Sequence, residues 1–303
     1  MKNKYDVLII GAGPAGLTAA IYLARNNVNV ALIEAKTPGG KISEQSKIEN
    51  YPGFNSVSGA ELSISMFSQA RENGAKFIIG KVISIENKDE LIKLIKLDNG
   101  LLLESKYLII ATGMQNIIPK EVINIEKFNN KGVSYCVVCD GPLFKDKVCG
   151  IIGGGNSAFE EGNYLSSIAK EVHIFVRDKI IAEQRLVDNV EKQDNIFIHR
   201  NAQVLKLNGT SSLDSADVNI EGNIFNIPIK GLFPYIGFKP AIDFIDQNLL
   251  KLDKKNFIVV DENMETNVPN IFAVGDIISK SIRQITTATS DGTIAAKIIN
   301  NRI

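Results

Sequence analysis

The first thirty-four residues change their hydrophobic spacing twice. DVLII is an unbroken apolar run, as expected of a strand buried on both faces. After a glycine-rich turn, LTAAIYLARNN places Leu17, Ile21 and Ala24 at helical intervals, and NVNVALIE returns to a second strand. The order recurs later as DKVCGII, GGGNSA, a helix through Glu160, Glu161 and Leu165, and the strand EVHIFV. Between these units lies a β-rich stretch, GAKFIIGKVISIE, LIKLIKL and SKYLIIATG, with Asp98-Asn99-Gly100 predicted as a hairpin turn. Further strands follow the second unit, then PYIGFKPAIDF. The last segment, NIFAVGDIISKSIRQITTATSDGTIAAKII, reads as strand, Gly275-Asp276, loop and helix. The pattern predicts an α/β protein with two Rossmann-like dinucleotide-binding domains, each with added β-structure.

The turns carry the chemistry. Gly11, Gly13 and Gly16 form a G-x-G-x-x-G between strand and helix. The first glycine allows the tight turn, the second admits a pyrophosphate, and the third lets helix and strand approach, while the helix N-terminus faces the anion. Glu34 ends the second strand, where a carboxylate accepts from ribose hydroxyls. Glycine turns of this kind also occur for structural reasons alone; strand, helix and terminal acid together point to a dinucleotide. In the second unit Gly153, Gly155 and Ala158 take the three places. Counting 23 residues from the first glycine reaches Glu34 in one unit but Val176 in the other, so the second lacks the ribose-binding acid.

Composition narrows the partners. The chain has 303 residues, a length suited to about two domains, and 45% apolar content. Its 34 basic and 34 acidic residues balance, which argues against recruitment by nucleic acid or an acidic membrane. Two basic residues, Lys2 and Lys4, precede an apolar stretch as in a signal peptide, but the glycines and Pro14 interrupt it, and no apolar run approaches the ~20 residues of a membrane span. Three cysteines, an odd count, favour a reducing cytoplasm.

Two of those cysteines stand in SYCVVCDG. The pair could be half a metal site, a piece of core, or a redox couple. A structural zinc site needs about four ligands. The chain offers one Cys-x-x-Cys, a distant Cys149 in the strand VCGII, and His173 and His199 outside ligand spacing, so no metal is expected. Cys149 and both histidines read as structural. As a redox couple, a Cys-x-x-Cys at a helix start lowers a thiolate pKa from ~8.5 towards ~7.

GAGPAG, TPGGK, ENYPGF, ATG, GVSYCVVCDG, GGGNSA, YIGFKP, VGD and RQITTA, in this order, resemble the low-molecular-weight, bacterial-type thioredoxin reductases of the flavin disulfide reductase family over nearly the whole chain. The resemblance implies an FAD-binding domain from residues 1–114 and 237–303, with a pyridine-nucleotide-type domain carrying the cysteine pair, 115–236, inserted in it. FAD would lie against Gly11, Gly13, Pro14, Ala15, Gly16, Glu34, Gly39, Gly40, Lys41, Asn50, Val82, Ala111, Thr112 and Gly113, and against Gly275, Asp276, Arg283, Gln284 and Ile285. Asp276, after a strand, suits the ribityl hydroxyls. Arg283, Gln284 and Ile285 begin a helix whose N-terminus suits the negative edge of reduced flavin. The plainer roles are an N-cap for Asp276 and a solvated charge for Arg283. By the same resemblance Cys139 faces the flavin, Cys136 attacks the disulfide of thioredoxin, and Asp140 moves the proton, or else caps the helix. A homodimer is also implied.

The nucleotide contacts would be Gly153, Gly155, Asn156, Ser157, Ala158 and Arg177. Here the chain departs from the family, which reads H-R-R-x-x-x-R after the second strand to grip the 2′-phosphate of NADPH. In HIFVRDKIIAEQRL only Arg177 survives, followed by Asp178, with Lys179 and Arg185 as other bases. The donor is therefore NADPH or NADH, or ferredoxin or another low-potential carrier with the second unit a relic. A non-catalytic flavin-binding redox sensor is the alternative of another class; a complete Cys-x-x-Cys-Asp beside every flavin motif argues against it. Ferredoxin-NADP reductases share the architecture but lack the cysteines.

Overall fold

The computed structural model describes residues 3–45, 47–89, 91–246 and 248–303. Residue contacts divide the chain into two compact units, Met1–Gln115 with Lys239–Ile303, and Asn116–Phe238. Each is an α/β unit with a Rossmann-like parallel sheet, and the second is inserted in the chain of the first.

In the first unit the parallel strands run in the order Lys76–Ile79, Val30–Glu34, Lys4–Ile10 and Leu102–Ile110. Antiparallel strands Lys93–Leu97 and Val82–Asn87 extend the sheet, and Ile271–Ala273 returns to pair with Leu102–Ile110. Alternate residues of Lys4–Ile10 serve opposite cores. Val7 and Ile9 face helices Pro14–Ala24, Gly59–Glu72 and Ile285–Asn300, whereas Leu8 and Ile10 pack with Val82, Ile95, Leu103 and Ile258. This two-sided burial explains the unbroken apolar run.

The first helix ends at Ala24 rather than Asn27, which lies in the left-handed region at φ 59°. Asparagine tolerates that conformation and so closes the helix. GAKFIIGKVISIE is split at Gly80-Lys81: the Gly80 N–H donates to the Glu34 carbonyl at 3.0 Å and the Lys81 N–H to Asp98 Oδ1 at 3.1 Å. One half thus joins the parallel edge and the other the antiparallel side. The turn at Asp98–Gly100 forms as predicted.

The second unit has parallel strands in the order Ile196–Arg200, Glu171–Val176, Val148–Ile152 and Gly231–Pro234. Helices Asn156–Ser166 and Gln184–Glu191 cover one face through Phe159, Leu165 and Val190. An antiparallel sheet, Ala202–Asn208, Ser215–Ile220 and Asn223–Pro228, covers the other through Val204, Leu207 and Val218. Among the described residues no helix is long and apolar enough to cross a membrane.

Candidate active site

SYCVVCDG folds into a single helical turn, Val137–Asp140, that runs into the 3-10 turn Gly141–Phe144. Cys136 is the N-cap residue, and it forms a disulfide with Cys139. The first-turn N–H groups, which have no partner within a helix, are met locally. Cys139 N–H donates to Cys136 Sγ at 3.1 Å and Val137 N–H to the Tyr235 hydroxyl at 3.2 Å. Asp140 does not cap a helix with its side chain. Its carboxylate accepts the Ser134 hydroxyl at 2.6 Å, and that hydroxyl oxygen accepts the Cys136 N–H at 3.2 Å. Because Ser134 is buried, this chain of bonds ties the acid to the cysteine turn. Cys149 is fully buried in its strand, and burial pushes its thiol pKa up to about 12, so it is an inert hydrophobe.

At the first glycine turn the three glycines have distinct reasons. Gly11 has φ 103°, and a Cβ there would lie 2.5 Å from the Ala111 carbonyl oxygen. One at Gly16 would collide with the Gly11 carbonyl oxygen. At Gly13 it would meet nothing within 4 Å, so the turn has open space that could admit a pyrophosphate. Glu34 accepts the Ala12 N–H at 2.8 Å and the Lys36 N–H at 2.9 Å, which fixes its carboxylate against the turn with lone pairs to spare for ribose hydroxyls. Gly39 N–H donates to the Ala12 carbonyl at 2.7 Å and brings Gly40 and Lys41 to the same end of the sheet.

The other predicted residues of this unit converge there in part. Pro14 and Ala15 open the helix, and Ala15 packs against Gly275, where a Cβ would stand 2.9 Å from the Ala15 Cβ. Ala111 N–H donates to the Ile10 carbonyl at 2.8 Å, Thr112 donates its hydroxyl to the Ala241 carbonyl at 2.9 Å, and Gly113 accepts the Ala241 N–H at 3.1 Å. Burial raises the pKa of Asp276 against the opposing charges of Lys280, Lys41 and Arg283; burial likewise brings Lys41 down to about 8. Asp276 sits inside the turn Gly275–Ile277 rather than at an N-cap. Arg283 is no solvated charge either. It donates to the Asp276 and Ile278 carbonyls at 3.2 and 3.1 Å and lies 3.9 Å over the Phe257 ring. Gln284 caps helix Ile285–Asn300, with Asn50 donating to its side-chain oxygen at 3.2 Å. Val82 has its side chain buried in the core under the sheet, two residues after Gly80, whose N–H donates to the Glu34 carbonyl at 3.0 Å.

The second turn repeats the first at its glycines. Gly153 has φ 152°, and a Cβ on it would lie 2.5 Å from the Tyr235 carbonyl oxygen. At Gly155 the nearest atom would be Ile181 Cγ1 at 4.0 Å, again an open approach. Asn156 and Ser157 start the helix, Ala158 is buried under it, and the Asn156 side chain is paired with Glu183. Arg177 and Asp178 form an exposed ion pair at 2.9 Å. His173 and His199, on paired strands, approach to 2.9 Å between Nδ1 and Nε2, and burial lowers both pKa values. Among the described residues no three His, Cys, Asp or Glu side chains gather as a metal site.

Residues 5–292 match the pyridine nucleotide-disulphide oxidoreductase family. Over 305 residues the chain is 50% identical to the thioredoxin reductase of Mycoplasmopsis pulmonis, covering 100% of this chain and 99% of that protein. The chain belongs to the low-molecular-weight thioredoxin reductases of that family. It is 41% identical over 309 residues to the thioredoxin reductase of Mycoplasma genitalium, covering 99% and 95%. Thioredoxin reductase structures from Lactococcus lactis (36% identity, TM-score 0.89, 98% of each chain) and T. acidophilum (34%, 0.88, 99% of each) share its fold. It is thus a thioredoxin-disulfide reductase, Cys136–Cys139 is its redox-active disulfide, and its family works with FAD and a pyridine nucleotide.

Several site residues of this enzyme escape a reading of its motifs. Ser134 and Tyr235 support the cysteine turn from either side of it in sequence, and neither belongs to a spacing rule. Asp291 is buried, pairs with Lys280 at 2.6 Å, and accepts the Gly275 N–H at 3.0 Å, fixing the residue before Asp276. An acid in a helix otherwise rich in small residues, TTATSDGTIAA, was the available signal.

Proposed function

We propose that this enzyme takes two electrons from NADPH or NADH and passes them through FAD in the first unit to the Cys136–Cys139 disulfide, and from there to thioredoxin. The observation that carries the reading is the presence of two open glycine cradles, at Gly13 and Gly155, in one chain with a single redox disulfide. Bound FAD supplies the two-electron relay. The Gly11–Gly16 turn would receive its pyrophosphate, Glu34 a ribose, Asp276 the ribityl hydroxyls, and the N–H groups at the start of Ile285–Asn300 its electron-rich edge. Arg283 would hold the Asp276 turn through two carbonyls rather than meet the ligand.

Two electrons and two protons open the disulfide to two thiols. Cys136, as thiolate, attacks a sulfur of the thioredoxin disulfide and releases one thioredoxin thiolate, which takes up a proton. Cys139 then attacks Cys136, reforms the internal disulfide and frees the second thioredoxin thiol. Asp140, which accepts the Ser134 hydroxyl, would take and return a proton in these steps.

The test is anaerobic titration of the purified flavoprotein with NADPH, NADH and reduced ferredoxin, following flavin absorbance. Bleaching by either nucleotide is expected. The pairing of Arg177 with Asp178 favours the second reading, a carrier-fed enzyme, and bleaching by ferredoxin alone would establish it and retire the nucleotide donor.

A further inference from the structure

The two units share a strand register but not a charge at the edge where an adenosine ribose is read. In the first, the second strand ends at Glu34, whose partner on the third strand is Ile79. In the second, that strand ends at Val176, and the partner on the third strand is Arg200. The charge has changed sign and moved one strand outward.

The surface there is concave, a cleft of about 340 Å³ lined by Val176, Asp178, Lys179, Ile180, Arg200 and Asn201. Its loop is fastened to the glycine turn, because Ile181 and Ala182 N–H groups both donate to the Gly154 carbonyl, at 2.7 and 3.1 Å. The cleft therefore adjoins the second cradle. Asp178 would repel an anion, but Arg177 neutralises it at 2.9 Å. Arg200 lies 3.7 Å from Glu191 in a long, exposed pair, beyond hydrogen-bond distance, so its guanidinium donors are not committed to that acid. Lys179 and Arg200 give the cleft its positive character.

We propose that Arg200, aided by Lys179, recognises the 2′-phosphate of a 2′-phosphorylated pyridine nucleotide, in place of the arginines missing after the second strand; this rests on the nucleotide reading above. The geometry suits the chemistry. A ligand ribose sits beyond the carboxyl end of the second strand, the next strand lies only ~4.8 Å away, and a guanidinium fork matches phosphate oxygens in pairs. Lysine adds a point charge without that fork.

Calorimetry on the full-length flavoprotein with adenosine 2′,5′-bisphosphate and adenosine 5′-monophosphate separates this contact from catalysis. The wild type is expected to bind the bisphosphate at least about tenfold more tightly than the monophosphate. Arg200→Gln should lose about tenfold or more of the bisphosphate affinity with the monophosphate affinity unchanged, Arg200→Lys should keep part of it, and Lys179→Gln should lose less. The flavin spectrum of each variant verifies its fold. Equal affinities in wild type, or an Arg200→Gln variant identical to it, would overturn the proposal and leave the nucleotide reading standing. Binding of neither ligand, with flavin reduced by ferredoxin alone, would remove both.

Discussion

The helix that follows the first glycine turn is buried over nearly its whole length, whereas its counterpart in the second unit keeps a face in solvent. Nine of the eleven residues of Pro14–Ala24 are buried, against five of the eleven in Asn156–Ser166. The cause is the last helix, Ile285–Asn300. Its Gly292 sits so close to the first helix that a Cβ would run into the Ala15 carbonyl oxygen, and Ala288, Ala295 and Ala296 keep the rest of that face thin. In the second unit the corresponding helix packs on its own sheet and on a short neighbour, Gln184–Glu191. One supersecondary unit is therefore closed in two ways. In the first, the last helix serves as a cover, and Arg283 just before it donates to the Asp276 carbonyl. In the second, the outer surface stays open and the special chemistry is carried by the cysteine turn.

The largest expected effect isolates that turn. Cys136→Ser should bring thioredoxin reduction to background while nucleotide still bleaches the flavin; Cys149→Ser should match wild type, because its sulfur is buried far from titration. Full activity of Cys136→Ser would remove the pair from the reaction. Next comes the helix contrast. Gly292→Ala should cost about 1–3 kcal/mol, since backbone cannot yield to the new Cβ. Gly162→Ala, on the second helix, meets side-chain ends rather than backbone, Ile174 Cδ1 at 2.9 Å and Ile151 Cδ1 at 3.5 Å, and gains helix propensity of up to ~1 kcal/mol, so it should be near neutral. Thermal unfolding of both variants checks this, and equal losses would contradict the two-closure account.

Smaller again is Ser134→Ala. It removes a hydroxyl donor from a carboxylate and should slow disulfide turnover about tenfold, ~1.4 kcal/mol, without altering flavin reduction by nucleotide. Stopped-flow separation of the two half-reactions would show whether both slow, which would assign Ser134 to the fold alone. The smallest effect concerns His173 and His199. Burial holds both below the ordinary histidine value of 6.5, and each sits against the other. Below that pH the unfolded chain binds more protons than the native one, so stability is full above 6.5 and falls as the solution is acidified. His199→Phe should flatten this decline in melting temperature; an unchanged slope would place the titration elsewhere.

Much of the scaffold could be read along the chain because it is written in short-range terms. Apolar runs and helical intervals mark strands and helices, and the glycines mark turns where backbone or ligand comes close, so Gly11, Gly13 and Gly16 are legible from three places in six residues. Glu34 is legible for the same reason, one βαβ unit having a nearly constant length. The Cys-x-x-Cys is likewise local: four consecutive residues contain both sulfurs of the disulfide. What escaped depends on which distant segments pair and in which register. Arg200 opposite Val176, Ser134 between Asp140 and Cys136, Asp291 under Gly275 and His173 against His199 are all set by packing. Even Arg283, a surface charge by composition, is drawn onto two carbonyls and a phenyl ring. A one-residue slip of a strand leaves its hydrophobic period intact but sends every side chain to the opposite face, so periodicity alone does not contain these partnerships. They arise when burial on both faces of a sheet selects one register, and with it the neighbours of each polar group.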